Sequence, residues 1–250
     1  MRIMYALPPV ALLCLWQVAA FVAHARGYPT TSPFDVWEGV RSVATVGMPP
    51  GHLLPAHVAY SLGRVLLGFG AATLVGVPVG LACASSRAMH QIFQPFIDFL
   101  RPIPPLAWVP LAIGWFGIGL RAAAFIIFLG AVFPIAVSTC AGVAEVPTSY
   151  LDVARSMKAR SHQLWSTVLL PAALPSILTG LRVALGVAWM TLVAAEFTDV
   201  REGYGLGYML MAARDLHRTD VVLAGMALIG IVGWLLDLCL RWLGSLLTRA

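Results

Sequence analysis

Apolar residues in this chain fall in long unbroken runs. Ile3–Ala23, Val65–Ala84, Pro102–Leu120 and Ala122–Ala144 each hold 19 or more residues without Asp, Glu, Lys or Arg. As helices rising 1.5 Å per residue, such runs cross about 30 Å of hydrocarbon. Barrel strands are half as long and alternate, so the pattern predicts membrane-spanning helices. A fifth span follows whose register hydropathy alone does not fix, since Ser161–Leu181 is charge-free while Arg182 and Glu196 enclose only 13 apolar residues, and a sixth covers Val221–Leu240 with Asp237 one turn from Arg241. Six spans place both termini on one side of the membrane.

The polar intervals carry their own signals. Ser32-Pro33-Phe34-Asp35 supplies an N-cap, a first-turn proline and an acid at the third position, which predicts a helix start. Phe34, Trp37, Val40 and Ala44 then share a face, as in a helix lying on the membrane with Trp37 as anchor. In the second span Gly68, Gly70, Gly76 and Gly80 suit close helix packing. Pro102, Pro104 and Pro105 must interrupt or begin a helix. The third and fourth spans are separated only by Gly117–Arg121 and form a tight hairpin. Val146–Thr167 contains Asp152, Arg155, Lys158 and Arg160 and is too polar for lipid. Ser149 with Asp152 predicts a capping box and a helix from Tyr150 to Met157; Ser161 caps a second helix ending at Leu170-Pro171. Lys158 either stands after the first helix or extends it, its charge suiting the C-terminal dipole.

Composition agrees with this class. Hydrophobic residues make up 60% of the 250 residues and charged residues 11%, far from the soluble average. Mean hydropathy is +0.86. The net charge of +5 comes from basic residues scattered between spans, which does not form a nucleic-acid patch. Eight basic residues fall on the terminal side and six opposite, which puts the termini and the 146–167 loop in the cytoplasm. The single lysine, Lys158, follows Met157, so no Gly-Lys-Ser/Thr phosphate loop exists in this chain. Cys14, Cys83, Cys140 and Cys239 lie in apolar stretches without CxxC spacing, and no two His have HxH or HxxxH spacing. No metal site is expected. The outline of a signal peptide ends at Ala23-His24-Ala25, but 21 apolar residues exceed a signal core, and a retained first helix is expected.

One segment carries a family resemblance. Asp152-Val153-Ala154, three residues, Lys158, nine residues and Val168-Leu169-Leu170-Pro171 resemble the EAA-x3-G-x9-I-x-L-P signature of ABC-importer permeases. Asp152 stands for the glutamate, Val153 for the second residue and Lys158 for the glycine. The segments around Arg101–Pro110, Trp115–Gly119, Leu170–Arg182, Leu192–Glu196 and Thr219–Gly225 are similar to the nitrate, sulfonate and taurine branch, taurine-type permeases above all.

The resemblance implies an all-α integral membrane protein with the type I ABC importer fold, about six transmembrane helices and a cytoplasmic coupling-helix loop. It divides the chain into a first helix with an interfacial segment (1–60), a transporter core (61–243) with its coupling loop (146–171) and a cytoplasmic tail (244–250). It implies a multi-pass protein of the bacterial inner membrane moving a small sulfonate or taurine-type anion. Nitrate or a pyrimidine or thiamine precursor is the alternative cargo, and an ion-coupled secondary transporter the alternative class. The implied partners are a second permease copy, two ATP-binding subunits and a periplasmic or lipid-anchored binding protein, all within membrane lipid. The chain itself is expected to hold no cofactor and no catalytic residue, ATP and Mg being bound by the partner ATPase. Coupling falls to Asp152, Val153, Ala154, Arg155, Met157, Lys158 and Ala159. The candidate path or gate residues are Arg101 near Asp98, Trp108 and Trp115 seven apart, and Glu196 towards the outer face as gate or as a satisfied buried acid. Arg182 is expected to snorkel to the cytoplasm.

Overall fold

The computed structural model describes residues 2–28, 30–197 and 203–247. Along the chain these form α1 (Arg2–Ala25), α2 (Pro33–Thr45), α3 (Leu54–Ser85), α4 (Arg87–Leu100), a 3-10 turn (Pro105–Trp108), α5 (Val109–Phe116) and α6 (Leu120–Ala144). There follow α7 (Thr148–Ser156), α8 (Ser161–Gln163), a π-helical turn (Leu164–Leu169), α9 (Leu170–Glu196), α10 (Leu206–Asp215) and α11 (Thr219–Leu247). The described residues contain no strand.

Four stretches are long and apolar enough to cross a membrane: Leu54–Ser85, Leu120–Ala144, Ser161–Glu196 and Thr219–Leu246. A fifth is broken. Arg87–Leu100 and Pro105–Phe116 meet at 86°, because Pro102, Pro104 and Pro105 carry no backbone N–H and push the preceding residues out of the helical region. The third span is therefore a bent pair and not one straight helix. The 24-residue α1 adds the apolar stretch Ala11–Ala25.

The chain divides into two compact units, residues 1–60 with 203–231, and residues 61–202 with 232–250. In the first, α2 starts as the sequence predicts. The Asp35 N–H donates to Ser32 Oγ at 3.3 Å, and the Ser32 N–H donates to Asp35 Oδ2 at 2.7 Å. That backbone N–H, helped by the hydroxyl, holds the Asp35 carboxyl below its usual range. Phe34 and Trp37 stay exposed on α2, as an interfacial helix requires. Gly39 faces the Asp220 backbone, where a Cβ would stand 2.7 Å from the carbonyl oxygen. Gly203 and Gly205 have positive φ and lead into α10, a helix the sequence pattern did not announce. The Gly205 N–H donates to His57 Nδ1 at 3.1 Å, and Tyr204 stacks on Tyr60 with centroids 4.7 Å apart.

In the second unit the glycines set the packing. Cβ atoms built on Gly68, Gly76 and Gly80 would touch Ala124, Val132 and Ala136 in turn. The constant offset means that α3 and α6 run parallel with backbones nearly in contact. Between α6 and α9 the pairs are Gly130 with Thr191, Ser138 with Gly180, and Gly142 with Ser176. One number rises as the other falls, so these helices are antiparallel. Trp189 with Gly233 and Leu178 with Gly244 show by the same rule that α9 and the end of α11 are antiparallel. Helix α6 is the centre of this unit, buried at Ile126, Ile127, Ala131, Ile135, Ala136 and Thr139.

Two expectations about the 146–171 segment need correction. Ser149 does not cap: α7 begins after Pro147, with no side-chain cap. A proline at that place fixes the entering dihedral and leaves one fewer orphan donor to satisfy. The second helix does not stop at Pro171 either. It continues as one 36-residue helix, Ser161–Glu196. The wide π turn before Pro171 makes room for the ring, while Ser166 Oγ and Thr167 Oγ1 donate to the His162 and Gln163 carbonyls at 3.0 and 2.5 Å. Its start is closed by Gln163, whose Oε1 accepts the Arg160 N–H at 2.8 Å.

Candidate functional site

The loop between α6 and α9 is short, shaped and firmly mounted. Val143 and Val146 pack with Ala173 and Ile177 in one buried cluster, against which Trp165 and Leu169 also lie. Both ends of the loop are thereby fixed to the bundle. Between them α7 closes with a left-handed residue. The Lys158 N–H donates to the Arg155 carbonyl at 2.9 Å and the Ala159 N–H to the Ala154 carbonyl at 3.1 Å, the two bonds of a Schellman motif. Lys158 has φ 57°. It occupies the glycine position of the motif and does not extend the helix, because continuing α7 would forfeit both bonds. A Cβ in that region costs about 1 kcal/mol.

Helix α7 presents an apolar face to its surroundings. Tyr150, Val153 and Met157 are three and four residues apart, hence on one side, and they are 57%, 62% and 79% exposed. Asp152 and Arg155 stand 3.7 Å apart on the exposed surface, a pair worth less than about 1 kcal/mol. Ser156 Oγ donates to the Asp152 carbonyl at 2.8 Å. Ala154 and Ala159 are half-buried. The seven residues expected to act in coupling thus sit on one short helix and its C-terminal turn.

The expected path residues do not converge. Arg101 is exposed and caps α4 just before the bend. Its expected partner Asp98 instead accepts from Gln94 Nε2 at 2.9 Å. Four residues on, Pro105 reaches the level of Gly130, midway along α6, so the bend lies at mid-depth of the bundle. Trp108 ends the 3-10 turn and is half-buried. Trp115, 60% exposed, sets its ring edge against Phe125 with centroids 5.9 Å apart.

Glu196 is a satisfied buried acid. Its Oε1 accepts from Arg64 Nη1 at 2.8 Å and from Ser61 Oγ at 2.7 Å, and the hydroxyl also lies 3.0 Å from Oε2. All three residues are fully buried. The cluster joins the start of α3 to the end of α9, at the bundle end opposite the 146–160 loop. Sequence reasoning did not pair these residues. The signal was nevertheless there, since Arg64 is the one Asp, Glu, Lys or Arg within α3. Arg182 also finds a partner inside the unit, correcting the snorkelling expectation: Nε donates to Asp237 Oδ1 at 3.0 Å, and Arg241 Nε reaches Oδ2 of the same carboxylate at 2.7 Å. Among the described residues, no group of three or more His, Cys, Asp or Glu stands together to hold a metal ion.

This geometry has counterparts. Residues 76–250 match the family described as "Binding-protein-dependent transport system inner membrane component". The chain is 42% identical over 240 residues, 95% of its length and 86% of the relative's, to the taurine transport system permease protein TauC of Escherichia coli. It is 34% identical over 249 residues, 97% of its length and 89% of the relative's, to the nitrate import permease protein NrtB of Synechocystis. Its fold resembles that of a solved methionine ABC transporter, MetNI, in inward-facing conformations, with TM-score 0.68, 22% identity and coverage of 78% of this chain and 96% of that one. The chain belongs to the binding-protein-dependent ABC permease family, in its nitrate, sulfonate and taurine branch. It is a multi-pass transport subunit with the type I importer fold.

Proposed function

We propose that this chain is one of two identical permease subunits of an importer in the bacterial inner membrane. Two ATP-binding subunits drive it, binding ATP and Mg. A periplasmic or lipid-anchored binding protein supplies its cargo, a small sulfonate or taurine-type anion. The observation that carries the reading is α7, a rigidly mounted helix with an exposed Tyr150, Val153 and Met157 face. An apolar face of this kind outside lipid suits a groove on a soluble partner.

Helices α8 and α9 form one continuous rod from the loop to Glu196, about 54 Å for 36 residues at 1.5 Å each. A partner that shifts α7 therefore acts directly on the far end of the bundle, where Arg64 and Ser61 hold Glu196. Coupling of this sort needs stiff elements with discrete arrangements. Asp152, Val153, Ala154, Arg155, Met157, Lys158 and Ala159 form the contact in this reading. Arg101, at the mid-depth bend, is the cation that an anion meets on its way.

Nitrate is the second cargo reading, supported by the likeness to NrtB, with pyrimidine or thiamine precursors behind it. An ion-coupled secondary transporter fits less well. Two acids within the spans, Glu196 and Asp237, are tied to arginines, whereas proton or ion coupling needs an acid that can let its partner go. The test is ligand binding by the cognate binding protein across taurine, alkanesulfonates, nitrate and pyrimidines, followed by uptake in cells lacking the permease. Anion binding with permease-dependent, ATP-dependent uptake is expected. High affinity for a sugar or a cation, with uptake depending on this chain, overturns the anion assignment.

A further inference from the structure

Helices α6 and α9 cross with a reciprocal exchange of serine and glycine. Ser138 of α6 lies against Gly180 of α9, where a Cβ on the glycine would fall 2.3 Å from the Ser138 Cβ. Ser176 of α9 lies against Gly142 of α6 with the corresponding distance 2.6 Å. The two glycines thus seat both serines at fixed places, one helical turn apart along α6. Around them opens a groove of about 360 Å3, lined also by Thr179, Val183 and Glu145.

Two of the three hydroxyls in this groove differ from the ordinary pattern of long helices. Thr73, Thr179 and Thr191 each donate to the carbonyl four residues back, at 2.8 to 2.9 Å, the ordinary fate of a hydroxyl in a helix. Ser138 and Ser176 make no side-chain hydrogen bond among the described residues. Both donors remain available within the groove. Glu145 caps the C-terminus of α6, three residues beyond Gly142, exposed and without an ion pair among the described residues. It stands about 4.5 Å farther along the axis than the level of Ser176. Thr179, its hydrogen already given to Pro175, offers lone pairs only.

The groove is not dressed for lipid. Elsewhere in this unit the exposed faces carry large apolar side chains, such as Leu67 and Leu74 on α3 and Trp234 and Leu238 on α11. Here the side chains are mostly small, and three hydroxyls and a carboxylate stand among them. Two free donors at one end and a carboxylate one turn away match a solute with an oxyanion and an ammonium. A plain anion would meet the Glu145 charge unfavourably, and an arginine or lysine in place of the serines would hold an oxyanion too tightly to release it.

We propose that this groove is a subsite for a small zwitterion, an aminoalkanesulfonate in class, lying in the loop-side half of the transport path. Its sulfonate oxygens accept from Ser138 and Ser176, and its ammonium faces Glu145. The inference rests on the importer reading above and sharpens its cargo: the permease itself distinguishes an aminosulfonate from a nitrate or an alkanesulfonate, in addition to whatever its binding protein selects.

The experiment uses the permease bound to its ATPase, with the four native cysteines replaced and Ser176→Cys or Ser138→Cys introduced singly. Labelling by a charged thiol reagent is timed with and without taurine, and with isethionate, which has a hydroxyl in place of the ammonium. Taurine is expected to slow labelling several-fold and isethionate to do so far less, with Glu145→Gln erasing the difference. In the reconstituted importer with its binding protein, Ser138→Ala with Ser176→Ala is expected to lower taurine uptake about tenfold, as for loss of a hydrogen bond to a charged group. Both changes keep the Cβ that packs on glycine, so folding is preserved, and ATP hydrolysis without cargo serves as the control. No protection by taurine, equal protection by isethionate, or ready disulfide bonding between two copies through Ser138→Cys each overturns the subsite. A wild-type complex that imports neither taurine nor another sulfonate nor nitrate refutes the earlier reading; one that imports taurine equally well with both alanines refutes only this one.

Discussion

Arg64 donates through Nη1 to Glu196 Oε1 at 2.8 Å, and neither side chain has any exposed surface. Ser61 adds its hydroxyl to the same carboxylate. The pair fastens the first turns of the α3 segment in this unit to the last turn of α9, at the end of the bundle farthest from the loop. A buried ion pair adds little net stability over an apolar one, yet breaking it by removing one partner is severe.

That asymmetry gives the first prediction. Glu196→Leu or Arg64→Met alone leaves a buried charge and is expected to destabilise the protein by about 3–5 kcal/mol. The double variant should recover most of that loss. Thermal unfolding of the purified permease in detergent, run as a double-mutant cycle, measures the coupling. Additive effects of the two changes would show that the pair contributes nothing specific.

The left-handed Lys158 gives the second. Lys158→Gly relieves the Cβ strain and should stabilise the end of α7 by up to about 1 kcal/mol. Slower hydrogen exchange at the Lys158 and Ala159 amides is the direct readout, and uptake should be preserved or improved. More than tenfold loss of uptake with the complex intact would instead assign the lysine charge a contact with the ATPase.

The exposed face of α7 gives the third. Met157→Glu or Val153→Glu should leave the thermal stability of the isolated permease within about 0.5 kcal/mol, as for a surface change, while recovery of the ATP-binding subunit on co-purification falls sharply. Ala154→Glu, at the half-buried edge of the same helix, should act in the same direction. Equal recovery and equal transport for all three would remove the docking role of the helix.

The glycines supply the fourth. Gly180→Ala places a methyl group 2.3 Å from the Ser138 Cβ, so α6 and α9 must separate, at about 1–3 kcal/mol. Gly70→Ala meets nothing within 4 Å and should be neutral or stabilising by up to about 1 kcal/mol, since alanine is the better helix former. Melting temperatures of the two variants should move apart. A shift of the same size and sign for both would mean that the α6–α9 contact is not as close as described.

Much of this protein was legible in its sequence, because the bilayer enforces simple rules. Charge-free runs of sufficient length must be helices, since a backbone in hydrocarbon can satisfy its hydrogen bonds in few other ways. The Ser32 and Asp35 cap, the proline break and the Asp237–Arg241 pair are local, and each forms where the pattern puts it. Tertiary structure decided what spacing cannot express. Ser61 and Arg64 meet Glu196 across more than 130 residues, and Arg182 meets Asp237 across 55, because helix register is set by which glycines allow two backbones to touch. Lys158 takes a left-handed conformation and the chain runs through Pro171 on a π turn, whereas the glycine contacts act at longer range. They also left Ser138 and Ser176 facing a groove with their hydrogens unspent, a consequence of close packing between antiparallel helices that no single stretch of sequence contains.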